Sequence, residues 1–233
     1  MPPLLLEKNM EKDALCSLRY LTRYPENFDP NKKYPAILFL HGAGTIGNDL
    51  DKLAGNPFFK HVESLNLPCV IFAPQCNEGK VWFDLFERLE DFARAVLEFD
   101  FVNKDRYYVV GASMGGYATW QIAMSLNDIF AAAIPICGGG IYWYAGRLKN
   151  TPVWAFHGDS DPTVFCEESV KMVEATNKRG GNAKLTVYPN TGHNAWDPTY
   201  KDPKVWEWLF SQRLGQKEVP TGDVGTMNSK NFG

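Results

Sequence analysis

The residues with the types and spacing to do covalent chemistry fall in four short stretches. Ser113 stands in Gly111-Ala112-Ser113-Met114-Gly115-Gly116, after the apolar run Tyr107-Tyr108-Val109-Val110 and before Tyr117-Ala118-Thr119-Trp120-Gln121-Ile122-Ala123-Met124. That order reads strand, sharp turn, helix, and such a turn holds its central side chain out above the sheet edge. Glycines two residues to either side fit a crossing where strand and helix crowd each other. A serine hydroxyl is a poor nucleophile at neutral pH and needs a base, which in turn needs an orienting acid. The chain has 4 histidines. His61 falls in a weakly helical stretch, while His41 and His157 each close a strand before a glycine, where they are expected to hold loop backbone. His193, in Asn190-Thr191-Gly192-His193-Asn194-Ala195-Trp196 after the last strand, is the expected base. The acid should lie between Ser113 and His193. His157-Gly158-Asp159-Ser160-Asp161-Pro162 offers Asp161, the preferred choice, and Asp159, with Asp197 a more distant one. A developing oxyanion needs two N–H donors. Met114, at a helix N-terminus, supplies one, and Ala43 in His41-Gly42-Ala43-Gly44 the other, with Gly44 the alternative.

The elements that must position these residues alternate between strand and helix. Ala14 to Tyr24 reads as a strand, followed by turn chemistry in Pro25-Glu26-Asn27-Phe28-Asp29-Pro30. Ala36-Ile37-Leu38-Phe39-Leu40 and Cys69-Val70-Ile71-Phe72-Ala73 are continuous apolar runs, as expected of strands buried on both faces. Leu53 to Leu65 is a weak helix interrupted at Gly55-Asn56-Pro57. From Asp84, the apolar residues Leu85, Leu89, Phe92, Val96 and Phe99 recur at helical steps, and Asp84 with Glu87 resembles a capping box. After the serine turn come a strand at Ala131–Ile136, with Pro135 weakening its end, and others at Val153–Phe156 and Leu185–Tyr188. Helices are expected over Glu167–Asn177 and from Pro203, capped by Asp202, through Arg213. The expectation is a single α/β domain over 1–214 with a mainly parallel sheet and helices on both faces, then a tail over 215–233. Ligands in such sheets bind at the carboxyl ends of strands, where every candidate motif lies.

Composition narrows the field. The chain has 233 residues, 45% of them hydrophobic, with a net charge of −3. No Lys/Arg run exists that could track phosphates, and no apolar stretch reaches the length of a membrane span, so neither a nucleic-acid partner nor membrane insertion is expected. The N-terminal residues lack the basic start and apolar core of a secretory signal, which favours the cytoplasm unless a signal was trimmed. The five cysteines, Cys16, Cys69, Cys76, Cys137 and Cys166, are odd in number and without Cys-x-x-Cys pairs. They read as buried small apolar residues, a Cys69–Cys76 bridge being the minor alternative. No ligand-spaced metal motif is present, so no metal or organic cofactor is expected.

Taken in order, Leu38-Phe39-Leu40-His41-Gly42-Ala43-Gly44, Ala73-Pro74-Gln75-Cys76, the Ser113 turn, His157-Gly158-Asp159-Ser160-Asp161 and Gly192-His193-Asn194-Ala195-Trp196 resemble an α/β-hydrolase. The similarity runs from about residue 18 to 213. It is nearest the small phospholipase/carboxylesterases and dienelactone-hydrolase-like enzymes, with the predicted-peptidase and polysaccharide-side-chain esterase branches also similar. The resemblance implies an α/β-hydrolase fold and a serine esterase with Ser113, Asp161 and His193 as triad. Dienelactone hydrolases proper carry a cysteine nucleophile, so Ser113 argues against that activity. Cys137 to Thr151, where many such enzymes carry a helical lid, is too short for a large one, and an open site follows. Trp82, Trp143 and Trp196 fall in loops that could line it, and aromatic faces suit sugar rings or aromatic acyl groups. The expected substrate is a small-molecule or oligosaccharide ester with a short or aromatic acyl group, such as acetyl or feruloyl on plant polysaccharide fragments. A lysophospholipase or acyl-protein thioesterase is the runner-up, and a non-catalytic hydrolase-fold binding module is the reading from another class. A histidine base must be neutral to act, so activity is expected to fall on acidification through roughly pH 6–7.

Overall fold

The computed structural model describes residues 5–9 and 17–216. Among them eight strands, β1 (Leu5–Asn9), β2 (Arg19–Arg23), β3 (Tyr34–Leu40), β4 (Val70–Pro74), β5 (Val102–Ala112), β6 (Ala132–Ile136), β7 (Val153–Gly158) and β8 (Ala183–Tyr188), form one sheet in the order β1-β2-β4-β3-β5-β6-β7-β8. The β1–β2 and β2–β4 pairs are antiparallel and the rest are parallel. From β3 the chain adds β4 on one side and β5 on the other, so the order reverses between β3 and β5. A crevice opens at the carboxyl ends of strands at such a switch point. His41-Gly42-Ala43 leaves β3 there, and Ser113 leaves β5.

The helices are α1 (Leu50–Ala54), α2 (Pro57–Ser64), α3 (Phe86–Ala95), α4 (Met114–Ser125), α5 (Glu167–Lys178), α6 (Trp196–Lys201) and α7 (Pro203–Ser211). Successive strand residues point to opposite faces. Ala36, Leu38 and Leu40 join one core with α3, α4 and α5. Ile37 and Phe39 join the other with α1, α2, α6 and α7. Both faces are covered, which is why β3 and β4 read as unbroken apolar runs.

Several boundaries differ from the sequence reading. The interrupted helix is two helices: Asn56 accepts the N–H of Phe58, Pro57 opens the first turn, and α2 starts afresh. The helix begun at Asp84 starts earlier, as a 3-10 turn over Trp82–Leu85. Asp84 is its third residue, and its carboxylate accepts the Val81 N–H. Pro135 sits inside a central strand; β6 pairs fully with β5, but with β7 only at Ala133 and Ile136, because proline has no N–H to give. The last helix stops at Ser211. Residues 14–16 of the first expected strand, Cys16 and the tail from 217 onward lie outside the described residues. Cys69, Cys76, Cys137 and Cys166 are buried free thiols, and Cys69 and Cys76 form no bridge.

Candidate active site

Ser113 is held at φ 58°, ψ −121° between β5 and α4, and its N–H donates to Ile136 O at 2.9 Å. Positive φ at a non-glycine residue costs energy and persists only where the surroundings enforce it. The enforcement is visible at the flanking glycines. A Cβ on Gly115 would lie 1.8 Å from Leu40 O, and one on Gly111 would lie 2.4 Å from Gly115 O. Strand β3, strand β5 and helix α4 therefore meet backbone to backbone, and the half-buried Ser113 is pushed out of that contact towards the crevice.

His193 Nε2 lies 2.7 Å from Ser113 Oγ, and His193 Nδ1 lies 2.7 Å from Asp161 Oδ2. A carboxylate only accepts, so Nδ1 carries the proton and Nε2 is left to accept from the serine hydroxyl. Asp161 Oδ1 accepts the N–H groups of Thr163 and Val164 at 2.9 and 3.0 Å. Burial pushes the Asp161 carboxyl up, but these N–H groups and the His193 ring outweigh it and hold it below its ordinary range. The Trp196 and His193 rings meet edge to face, 5.4 Å between centroids at 86°. The alternatives lie elsewhere. Asp159 bonds Ser160 Oγ and the Thr191 N–H, and Asp197 lies 3.6 Å from His61.

Met114 is the first residue of α4, so its N–H has no carbonyl one turn behind it. Ala43 opens a 3-10 turn whose first bonds run from Thr45 N to Gly42 O and from Ile46 N to Ala43 O, so the Ala43 and Gly44 N–H groups precede the ladder. A Cβ on Gly42 would meet Ala112 O at 3.2 Å and Ser113 Cβ at 3.4 Å, so this turn packs directly on the serine. Gln75 clamps the loop through Thr45 O and Asp49 O. His41 lies under it, fully buried, with Nδ1 donating to Gly42 O and Nε2 accepting the Cys76 N–H. The Ala73-Pro74-Gln75-Cys76 motif thus acts by fixing the β3 loop.

His41 carries a stability consequence. Burial pushes it down to about 4 from the ordinary 6.5. The unfolded chain therefore binds a proton between pH 6.5 and 4 that the folded chain excludes, and stability falls as pH drops through that window. The full loss is about 3 kcal/mol. Urea midpoints measured from about pH 7 to pH 4 should fall accordingly, and less steeply in His41→Asn. Equal slopes for the two proteins would contradict this assignment.

A cavity of about 550 Å³ opens beside Ser113 and His193, walled by Phe39, the Gly42–Thr45 turn, Gly55-Asn56-Pro57, Thr163, Trp196 and Tyr200. The sequence reading did not foresee the Gly55-Asn56-Pro57 wall. Its signal was the Asn-Pro helix start, which separates α1 from α2 and opens a corner between them. Two of the expected lining residues are corrected. Trp82 is fully buried, with Nε1 donating to His41 O at 3.0 Å. It continues the Leu85-Leu89-Phe92 face backwards and packs in the core under the loop. Trp143 is 66% exposed and lies with Asn127, Asn150 and Arg179 near the amino ends of β6 and β7, opposite Ser113. The 3-10 helix Tyr142–Asn150 runs down the molecule with Ala145 and Leu148 inward, leaving Trp143 outward. Trp196 does line the cavity.

Cys137, His157 and Asp161 bring ligand-type atoms within 4.8 Å of one another. Each already has protein partners: the Cys137 thiol, pushed up to about 12 by burial, faces His193 O at 3.4 Å, and the two nitrogens of His157 face Ser169 Oγ and Val164 O. Cys137 and His157 thus pack beneath the Ser113–His193–Asp161 chain.

Residues 78–203 match the Dienelactone hydrolase family. The chain belongs to that family. This dienelactone hydrolase family member is 31% identical to a thermostable esterase of known structure, with a TM-score of 0.74 over 91% of this chain and 63% of that one. The feruloyl esterase module from Clostridium thermocellum, solved with sinapinate, shares the fold at 16% identity, with a TM-score of 0.70 over 94% of this chain and 92% of that one. Among curated relatives, dipeptidyl-peptidase 5 of Porphyromonas gingivalis is 24% identical in an alignment that covers 75% of this chain and 32% of that protein. The chain thus spans about a third of that relative's length. The family is one of hydrolases, and a thermostable esterase is among the chain's structural neighbours.

Proposed function

We propose that the protein is a serine carboxylesterase that hydrolyses short or aromatic acyl esters through an acyl-enzyme. One observation carries the reading: the Ser113–His193–Asp161 chain of two 2.7 Å contacts, standing at the mouth of a cavity. In the first step Ser113 Oγ attacks the ester carbonyl carbon while His193 Nε2 takes the hydroxyl proton. Asp161 stays ionised and stabilises the imidazolium. The Met114 and Ala43 N–H groups hold the carbonyl oxygen as it becomes negative. The C–O bond to the alcohol breaks, and His193 returns its proton to the leaving oxygen. Water then attacks the acyl-serine by the same route, releasing the acid and free Ser113.

The cavity volume lies within the range of roughly 300–1,000 Å³ typical of small-ligand sites, and most of its exposed wall is apolar, with Lys52 its charged residue. Phe39 and Trp196 suit a planar or short acyl group. The shared fold with a feruloyl esterase module that binds sinapinate supports the aromatic version. A dipeptidyl peptidase must hold a peptide's free ammonium group, and among the described residues no carboxylate lines this cavity. We favour the ester on that ground. Chromogenic acetyl, butyryl, octanoyl and feruloyl esters test the reading. Acetyl, butyryl or feruloyl should give the highest kcat/KM, with octanoyl at least about tenfold lower. Rates that climb towards octanoyl would move the assignment to a lysophospholipase or thioesterase.

A further inference from the structure

Behind Asp161, on the side away from His193, lies a second histidine that the mechanism above does not use. His157 is the next-to-last residue of β7 and is fully buried. Its Nε2 lies 2.9 Å from Val164 O and 3.4 Å from Asp161 Oδ2, the oxygen that also receives His193. Its Nδ1 lies 2.7 Å from Ser169 Oγ on α5, and Ser169 Oγ lies 2.8 Å from Gly138 O in the loop after β6.

Counting protons across these contacts separates two states. Both neighbours of Nε2 are acceptors, so Nε2 carries a hydrogen in either state. In the neutral ring Nδ1 must accept the single Ser169 hydroxyl hydrogen, and Gly138 O then loses its donor. In the charged ring Nδ1–H donates to Ser169 Oγ, the Ser169 hydroxyl turns to Gly138 O, and every contact is satisfied. The surroundings therefore contain a complete set of acceptors for an imidazolium. Burial opposes the charge and pushes the ring below its ordinary value, while Val164 O and Asp161 favour the charge and His193 opposes it. The other titratable group facing the ring is the Cys137 thiol, which stays protonated. On α5 the neighbour of Ser169, Glu168, packs against Gly139.

We propose that His157 is a positioning residue for Asp161 and a second proton site on the same carboxylate, so that acid inactivation of the enzyme involves two coupled histidines. The neutral ring holds the Asp161 loop through Val164 O. On acidification the ring takes up a proton, the Asp161 charge is shared between two imidazoliums, and each makes the other's proton harder to hold. This inference rests on the reading of Ser113, His193 and Asp161 as the hydrolytic triad.

The experiment is the pH dependence of kcat/KM, from about pH 4.5 to 8.5, for an ester that the wild-type protein hydrolyses. His157→Gln retains a donor that can reach Val164 O but cannot ionise. It should keep kcat at about pH 8 within about fivefold and raise the midpoint of the acid limb by about half a unit to one unit. Ser169→Ala keeps the ring and removes the acceptor of its second proton, and should move the midpoint the same way. His157→Phe, with no donor, should lose at least about tenfold in kcat at about pH 8 with KM little changed. An acid limb at the wild-type midpoint in both Gln and Ala variants would overturn the proposal, as would wild-type kcat in His157→Phe. Because Ser169→Ala leaves the ring in place, a folding failure of the His157 variants does not rescue the idea. Ser113→Ala, assayed alongside, separates the two levels. Activity surviving in it overturns the triad reading itself, whereas its loss together with unmoved acid limbs overturns only the role of His157.

Discussion

Ser113→Ala is expected to lower kcat on any ester substrate by roughly 10⁵-fold while leaving the protein folded. The hydroxyl is the atom that bonds to the acyl carbon in the proposed reaction, and its polar side-chain contact is to His193. Alanine fits the same backbone angles as serine, and the crowding that sets those angles comes from Gly111 and Gly115, which the substitution leaves alone. What remains is binding and oxyanion stabilisation by N–H groups. Asp161→Asn should cost about 10⁴-fold for a different reason. An amide at that position can present an N–H to His193 Nδ1, which selects the tautomer with the proton on Nε2, where it cannot accept from Ser113. Circular dichroism and a urea melt would show that both variants are folded. More than about 1% of wild-type kcat in folded Ser113→Ala would refute the assignment of this serine as nucleophile.

The second large effect falls on the fold. Gly115→Ala places a methyl group 1.8 Å from Leu40 O, 2.6 Å from Leu40 C and 2.9 Å from His41 O. All three are backbone atoms in the central strand and the loop that follows it, so no flexible side chain can swing away. Either α4 lifts from β3, which opens the core on its own face of the sheet, or β3 shifts, which opens the cores on both faces. The expected loss exceeds about 4 kcal/mol, a large share of a typical domain's stability. Gly44→Ala serves as the internal control. Nothing lies within 4 Å of its Cβ position, so it should change stability by no more than about 0.5 kcal/mol. Urea denaturation of the pair would test this. Similar midpoints for Gly115→Ala and the wild type would show that the helix and strand do not meet as described.

These effects also show which parts of the fold and site can be read from sequence. Ser113 was legible because its turn imposes a local rule, two glycines at fixed offsets between a strand and a helix. That His193 lies beside Ser113 follows from elimination among few histidines, and that Asp161 lies beside His193 follows from its place at a strand end between the two. The burial of β3 and β4 on both faces was legible from their unbroken apolar runs. The cavity was not, because its walls come from segments far apart in the chain, Gly55-Asn56-Pro57 and Trp196–Tyr200, which only the packing of α2 against α6 brings together. Trp82 reads as a loop residue by its position, whereas its spacing to Leu85 and Leu89 marks it as core. Trp143 was misplaced because nothing local says that a short 3-10 helix carries the chain from the carboxyl end of β6 to the opposite end of the sheet. The contact of His157 with Asp161 was also hidden. The motif showed a histidine four residues before the acid, but not that the ring turns back beneath it.

The central claim is that Ser113 is the nucleophile, made reactive by His193. Its most direct test is labelling with a fluorophosphonate, followed by mass spectrometry of the digested protein. We expect a single stoichiometric adduct on the peptide carrying Ser113, and labelling slowed by at least about a hundredfold in His193→Ala. An adduct on another residue, or a folded wild-type protein left unlabelled, would contradict it.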